Sequence, residues 1–320
     1  MKNFLTKEYM GMKFYFFIPL FLIGLVGLIV GSFMDLQIST NMANINSGFG
    51  RFFETWGAFL PCFICPLGLG IASKPIIKKG GKPWAIALAA FISIAAIAGV
   101  SYLNIKDMSG SATTAGYGYT LPKVAAIIIV IIFNLGMYAV GYFFANEELG
   151  FKKLLTIGLV IVLAFGLLHL FTNVFKIMAN RPRYRFLAWE PNDYSIDNFA
   201  PWYKWAFGKK LATSNSDSLK SFPSGHTGSM AIVCLLPTAF LAFKRTSESK
   251  LAKYLGYCIP FAFVIVMGFA RIVNGAHFLS DVSFATILGC LISLLCAYVG
   301  QIILDKYDSK PSLEDEIKSI

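Results

Sequence analysis

Eight apolar runs separated by shorter polar segments organise this chain. They lie near 14–33, 57–73, 84–103, 121–145, 154–175, 226–243, 254–271 and 282–303. About 20 mainly apolar residues are needed for a helix to cross the hydrocarbon of a bilayer, and most of the runs approach that length. The pattern predicts an all-α polytopic membrane helix bundle with about eight transmembrane helices. The run at 57–73 is short and holds Pro61 and Pro66, so it is the weakest of the eight as a span. The first run follows Lys2, Lys7 and Lys13. Its apolar stretch is too long for a cleaved signal peptide and no small-residue cleavage site follows it, so it reads as a retained signal anchor. The polar breaks divide the chain into N-terminal helices over 1–153 (about four spans), a second unit over 154–303 with one long loop at 176–224, and a charged tail over 304–320.

Composition narrows the reading. Hydrophobic residues make up 56% of the chain and charged residues 14%, with a mean hydropathy of +0.64; an average soluble domain carries about 25% charge. The formal charge of +11 suits nucleic acid or an anionic membrane surface. The few charges sit between apolar runs, so the lipid bilayer is the expected partner and nucleic acid is not. Cys62, Cys65, Cys234, Cys258, Cys290 and Cys296 all fall within apolar runs, which argues against a disulfide framework and for small residues filling helix faces.

Charge also sets the expected orientation, because cytoplasmic loops are enriched in Lys and Arg. Segments 1–13, 74–83, 146–153, 244–253 and 304–320 hold sixteen basic residues, against three in 34–56, 104–123 and 272–281. Both termini are thereby expected in the cytoplasm. The loop 176–224 falls on the outer side yet carries eight basic residues, so something other than topology calls for them.

Three clusters end up on that outer face. "KIMANRPRYR" (176–185) holds Lys176, Arg181, Arg183 and Arg185; "PSGH" spans 223–226; "ARIVNGAHFLSD" (270–281) holds Arg271, His277 and Asp281. His277 and Asp281 are four apart and on a helix would share a face. A carboxylate there fixes the imidazole tautomer and frees the other ring nitrogen to attack, the arrangement used in covalent catalysis. Pro223 and Gly225 permit a tight turn before an apolar helix, whose free N–H groups and positive dipole end suit an anion. Ser224 adds a hydroxyl, and His226 is a natural general acid–base. Lys176 and the arginines supply fixed positive charge, with Arg able to grip a phosphate through paired hydrogen bonds. Together these parts suit phosphoryl transfer, which depends on in-line positioning and charge stabilisation.

The three clusters resemble the signature of the type 2 phosphatidic acid phosphatase superfamily, which shares its site with vanadium haloperoxidases. That signature reads K-x6-R-P, then P-S-G-H, then S-R-x5-H-x3-D. The second motif is intact at 223–226, and the third from Arg271 through His277 to Asp281. The resemblance covers residues 176–281. Tyr184 stands where the family has Pro, and Ala270 where it has Ser. An alternative register through Arg181-Pro182 would put Val174 at the lysine position, so Lys176 pairs with Arg183 and Arg181 is held as an outer contact. The resemblance implies a phosphatase core in the C-terminal half. In it His277 would be the nucleophile forming a phosphohistidine, Asp281 its orienter and His226 the acid. Lys176, Arg183, Ser224, Gly225 and Arg271 would bind the phosphate, with no metal and no other cofactor.

The implied activity is hydrolysis of a lipid phosphate ester or pyrophosphate at the extracytoplasmic face. Phosphatidic acid, phosphatidylglycerol phosphate, a polyprenyl pyrophosphate and a phosphorylated glycolipid all fit as substrates. A phosphotransferase using the same intermediate, or a non-catalytic lipid carrier, are the alternatives; a carrier has no use for a nucleophile and an acid. Among the remaining residues, His169 lies seven before Lys176 and either lines the pocket or makes a polar contact between helices. Lys209 and Lys210 read as solvated loop charges. Trp202, Tyr203 and Trp205 suit either an interfacial lip at the site entrance or packing of the loop onto the bundle.

Overall fold

The computed structural model describes residues 7–78, 82–110, 116–190, 194–205 and 216–308. Lys209, Lys210 and the tail beyond 308 lie outside the described residues. A small hairpin pairs β1 (Glu8–Tyr9) with β2 (Met12–Lys13). The helices are α1 (Phe17–Met42), α2 (Gly48–Trp56), α3 (Ile64–Lys78), α4 (Pro83–Met108), α5 (Lys123–Phe144), α6 (Gly150–Ala179), α7 (Tyr184–Ala188), α8 (Gly225–Val233), α9 (Leu236–Phe240), α10 (Lys250–Val273) and α11 (Leu279–Asp308), with single helical turns at Phe59–Cys62 and Lys244–Ser247.

Seven helical segments among the described residues are long and apolar enough to cross a membrane. The eighth apolar run behaves differently: Gly225–Phe240 is a shorter apolar helix, broken between α8 and α9. Pro237 in the first turn of α9 lacks the N–H that a continuous helix would need and favours a helix start. The run still carries the chain from one end of the bundle to the other. Thr238 donates a hydrogen bond to the Met10 carbonyl (2.8 Å), and Asn146 N–H donates to Ala242 O (2.7 Å), both far from the motif end.

The run expected to be weakest is the most enclosed. In its apolar 18-residue stretch, 78% of the Gly48–Lys78 positions are buried, against 17–56% in the corresponding stretches of the other long segments, because α3 packs between α5 and α6. Its Lys74 is buried, and its ammonium donates to the carbonyls of Ala145 (2.5 Å) and Phe143 (3.3 Å). Those are the carbonyls left open where α5 ends, and Glu147 Oε1 lies 3.3 Å away, so a cation inside the bundle is met by backbone and one carboxylate. Outer helices expose large apolar side chains, Phe33, Phe91 and Phe143 among them, as suits contact with lipid. Cys258 is also exposed, unlike the other five cysteines, which are buried; it sits on the outer face of α10 rather than filling a packed one.

Candidate active site

The motif end of the bundle is built by three chain crossings that tie to one another through backbone. After Lys176 in its last turn, α6 stops at Asn180, which adopts the left-handed conformation (φ 44°). The chain then runs extended, with Arg183 N–H donating to Ser218 O (2.8 Å) and Ser221 N–H to Arg181 O (3.0 Å). Ser224 is the N-cap of α8; its N–H donates to Asp281 O (3.2 Å), and its hydroxyl pairs with that of Thr227 (3.0 Å). Gly225 and His226 occupy the first turn of α8. A Cβ placed on Gly225 would lie 3.6 Å from Lys176 Nζ, so the lysine ammonium rests over the free N–H end of that helix.

Arg271 stands in the last turn of α10. Beyond it Gly275 (φ 65°) lets the chain reverse tightly before α11, a conformation other residues adopt at a cost. This turn changes the geometry expected of His277 and Asp281. They do not share a helix face, because α11 begins at Leu279 and His277 lies in the turn before it. His277 Nδ1 is 2.5 Å from Ser221 O and 3.8 Å from Asp281 Oδ2. A carbonyl only accepts, so Nδ1 must carry the proton, which leaves Nε2 with its lone pair. Burial pulls the His277 imidazole down to about 3, helped by the charges of Arg183 and Arg271 and opposed by Asp281. The ring is neutral at ordinary pH.

Asp281 acts on His277 largely through others. Its Oδ2 accepts from Ser221 Oγ (2.5 Å) and Phe278 N–H (2.8 Å), fixing the segments on both sides of the imidazole. Its Oδ1 accepts from Arg181 (2.6 Å). Arg181 also donates to Asp35 (2.9 Å), Ser280 Oγ (2.9 Å) and Ala200 O (2.8 Å). The sequence placed Arg181 outside the pocket as a possible contact; its guanidinium is fully engaged in holding Asp281. Arg183 donates to Asp217 O (3.0 Å) and Ala276 O (3.1 Å). Burial pushes the Asp217 carboxyl upward, but hydrogen bonds from Lys220 and Lys106 outweigh this and hold it below the usual carboxylate range. Tyr184, where the family has Pro, opens α7 and packs edge-on against Trp189 and Phe278, steadying the residue beside His277.

Lys176, Arg183, Ser224, Gly225, His226, Arg271, His277 and Asp281 therefore gather at one end. His169 is not brought in. Its Nδ1 meets Phe165 O of its own helix at 3.0 Å and its ring lies on Phe165, a contact within one helix rather than between two. Trp202 belongs to the packed part of its loop, donating to Ser32 Oγ (2.9 Å) and stacking on Phe222, while Tyr203 remains exposed.

Three carboxylates from the N-terminal helices reach this end without having been singled out in the sequence. Asp35 of α1 holds Arg181 and Ser280. Glu54 of α2 bridges Arg185 (3.1 Å) and Arg271. Asp107 of α4 lies 3.7 Å from His226 Nε2. An available signal was that ionisable groups within apolar runs are costly and face the bundle interior; Asp35 and Glu54 lie within the long apolar segments and are 2% exposed.

Residues 154–303 match the PAP2 superfamily. No curated protein and no solved structure matches the chain. The match encloses the helices that carry all three motifs, and so the chain is an all-helical polytopic membrane protein with a PAP2 superfamily domain at residues 154–303.

Proposed function

We propose that this protein is an integral membrane phosphatase that hydrolyses a lipid phosphate monoester or lipid pyrophosphate through a phosphohistidine, at the extracytoplasmic face. The observation that carries the reading is the tautomer of His277: Nδ1 is committed to Ser221 O, so a neutral imidazole offers Nε2 to a phosphorus held among Lys176, Arg183 and Arg271. In the first step the Nε2–P bond forms as the P–O bond to the leaving group breaks, and His226 gives its proton to the departing oxygen. In the second, His226 takes a proton from water, whose oxygen bonds phosphorus while the electron pair of the N–P bond returns to His277. Fixed cations and the α8 N–H groups stabilise the charge on the equatorial oxygens in both steps.

A lipid substrate is supported by an apolar groove of about 560 Å³ between α1, α10 and α11. Its wall includes Thr227, Ile272 and Leu279, each within two residues of His226, Arg271 or His277. Hydrocarbon lying there keeps its phosphate at the site without leaving the bilayer. Residues 1–153 form the platform that brings Asp35, Glu54 and Asp107 beneath this centre, and residues 304–320 a cytoplasmic tail.

The test is phosphate release by the purified protein from phosphatidic acid, phosphatidylglycerol phosphate, a polyprenyl pyrophosphate and a phosphorylated glycolipid, beside 4-nitrophenyl phosphate. Turnover is expected to persist in EDTA and to stop with orthovanadate. His277→Asn should be inactive on every substrate and yield no phosphoenzyme. His226→Asn should lose roughly 100- to 10,000-fold on a lipid ester and much less on the aryl ester, whose leaving group departs without a proton. Equal losses on both esters count against the acid role, and phosphate appearing on an added acceptor rather than as inorganic phosphate replaces hydrolysis with transfer. For orientation, Asn198→Cys in a cysteine-free background should react with an impermeant thiol reagent in intact cells, and Glu248→Cys should not; the reverse pattern moves the site to the cytoplasm.

A further inference from the structure

We infer that Asp107, at the end of α4 and outside the family motifs, is the positioning carboxylate for His226, favouring the protonated ring against the burial and cations that oppose it. This rests on the phosphatase reading above. Nε2 of His226 is buried and has no hydrogen-bond partner, yet it stands 3.7 Å from Asp107 Oδ2. That distance is beyond a hydrogen bond but within direct charge contact, so Nε2 can turn its proton to a substrate while the carboxylate still acts on the ring. The ring has little freedom to look elsewhere. A Cβ at Gly57, in the kink after α2, would lie 2.9 Å from His226 Cδ2, so the backbone there closes against one edge of the imidazole.

The placement of Asp107 is otherwise unfavourable. It is the penultimate residue of α4, where the helix dipole disfavours an anion. Its neighbour Lys106 does not pair with it, turning instead to Asp217 at 2.9 Å. The charged groups facing His226 are Arg271 of α10, Glu54 of α2, Lys176 of α6 and His277 of the turn before α11, together with Asp107. Glu54 is already spent on Arg185 and Arg271. Burial and three cations or potential cations thus oppose an imidazolium; Glu54 favours one through its field, and Asp107 is the carboxylate at contact distance. The proton itself moves only between His226 and the substrate or water, so Asp107 holds charge and does not enter the bond changes.

The sign of the effect follows. Removing a negative charge beside His226 weakens its hold on the proton. In Asp107→Asn the alkaline limb of kcat/KM on a lipid phosphate should therefore move to lower pH by about one unit, a Coulombic effect scaled by a high effective dielectric. At pH 7.5 turnover of the lipid ester should fall roughly tenfold, one unit being a tenfold change in protonation, with 4-nitrophenyl phosphate nearly unaffected. Asp107→Glu should recover most of the loss. In the His226→Asn background, Asp107→Asn should cost nothing more, as for residues acting in one unit. A second readout needs no turnover: the chain has three histidines, and the ring-carbon NMR signal of His226, assigned by its loss in His226→Asn, should titrate at lower pH in Asp107→Asn. An unchanged titration, or equal losses on both esters with an unmoved limb, overturns the inference. A wild-type protein inactive on every phosphate ester while the titration still shifts would instead remove the phosphatase reading and leave the Asp107–His226 coupling standing.

Discussion

The two ends of the bundle use the same ion pairs in opposite ways. At the motif end Arg181, Arg185 and Arg271 meet Asp35, Glu54 and Asp281 with every one of these side chains no more than 3% exposed. At the far end Lys7 pairs with Asp305, Lys244 with Glu148 and Lys253 with Glu8, with side chains 25–76% exposed. Exposed pairs are screened and worth little. Buried pairs carry a desolvation cost that their attraction barely offsets, and removing one partner leaves a charge stranded. These exposed pairs can lose a charge and let water replace it; Lys74, buried at the same end and paired with Glu147, is the exception. The motif end cannot, and what the buried network provides is fixed geometry around His277.

Glu54 should show the contrast most strongly. It serves two buried guanidiniums, and Glu54→Ala removes this carboxylate from both, at a cost of roughly 3–5 kcal/mol for breaking such a network from one side. The expected outcome is a protein that unfolds well below the wild-type temperature in detergent or fails to accumulate. Glu54→Gln, which keeps the shape, should be recoverable but less stable than wild type. A wild-type melting temperature for Glu54→Ala would mean that water reaches Arg185 and Arg271 and that the two ends differ less than their burial implies.

Arg181→Lys is the next largest. Lysine cannot reproduce a fork that reaches Asp281, Asp35, Ser280 and Ala200 together, and hydrogen bonds to charged groups contribute about 1.5–3 kcal/mol each. Part of the loss should appear as stability and part as kcat, because Ser221 and Asp281 would no longer be pinned beside the imidazole. Tm and kcat measured on the same preparation separate these. A fall in Tm with kcat unchanged would make Arg181 a structural residue only.

Much of this end was legible in the sequence because its motifs are made of charged residues at fixed spacing near helix ends. Lys176, Arg183, Ser224, Arg271 and His277 are found by pattern alone. Asp35, Glu54 and Asp107 are not, since each is a single acid in or beside an apolar run and its partner lies 100 or more residues away. Spacing also misled locally: four residues separate His277 from Asp281, but a turn at Gly275 takes the histidine off the helix. Of the eight apolar runs, seven are long apolar helices among the described residues, while the run at 226–243 is shorter because Pro237 divides it. Run 57–73 looked weak by length and proline content, two features that matter less for a helix enclosed by other helices than for one facing lipid.

Acid pH should distinguish the ends without any mutation. His277 is held near 3 against an ordinary 6.5, so between those values the unfolded chain binds a proton that the folded chain does not. Stability then falls as pH is lowered from about 6.5 and stops falling near 3, by at most about 1.4 kcal/mol per pH unit. Unfolding temperatures across that range should show the slope. His277→Asn should flatten it, since asparagine has nothing to titrate. A slope identical in the variant would assign the acid sensitivity to other groups.

The smallest effect belongs to the far end. Asp305→Asn removes the partner of Lys7, both more than half exposed, but Asn can still accept from Gln301 and the lysine regains water. Lys244→Ala likewise releases Glu148 into solvent. Each variant should leave turnover unchanged and shift Tm by less than replicate scatter, and raising the salt concentration should produce no larger change in the wild type. The pair is nonetheless an informative control. If Asp305→Asn destabilised the protein as Arg181→Lys does, the hairpin at 8–13 would be held by charge rather than by its packing on Gln301 and Tyr298. The difference between a wet end that tolerates substitution and a dry end that does not would then rest on something other than burial.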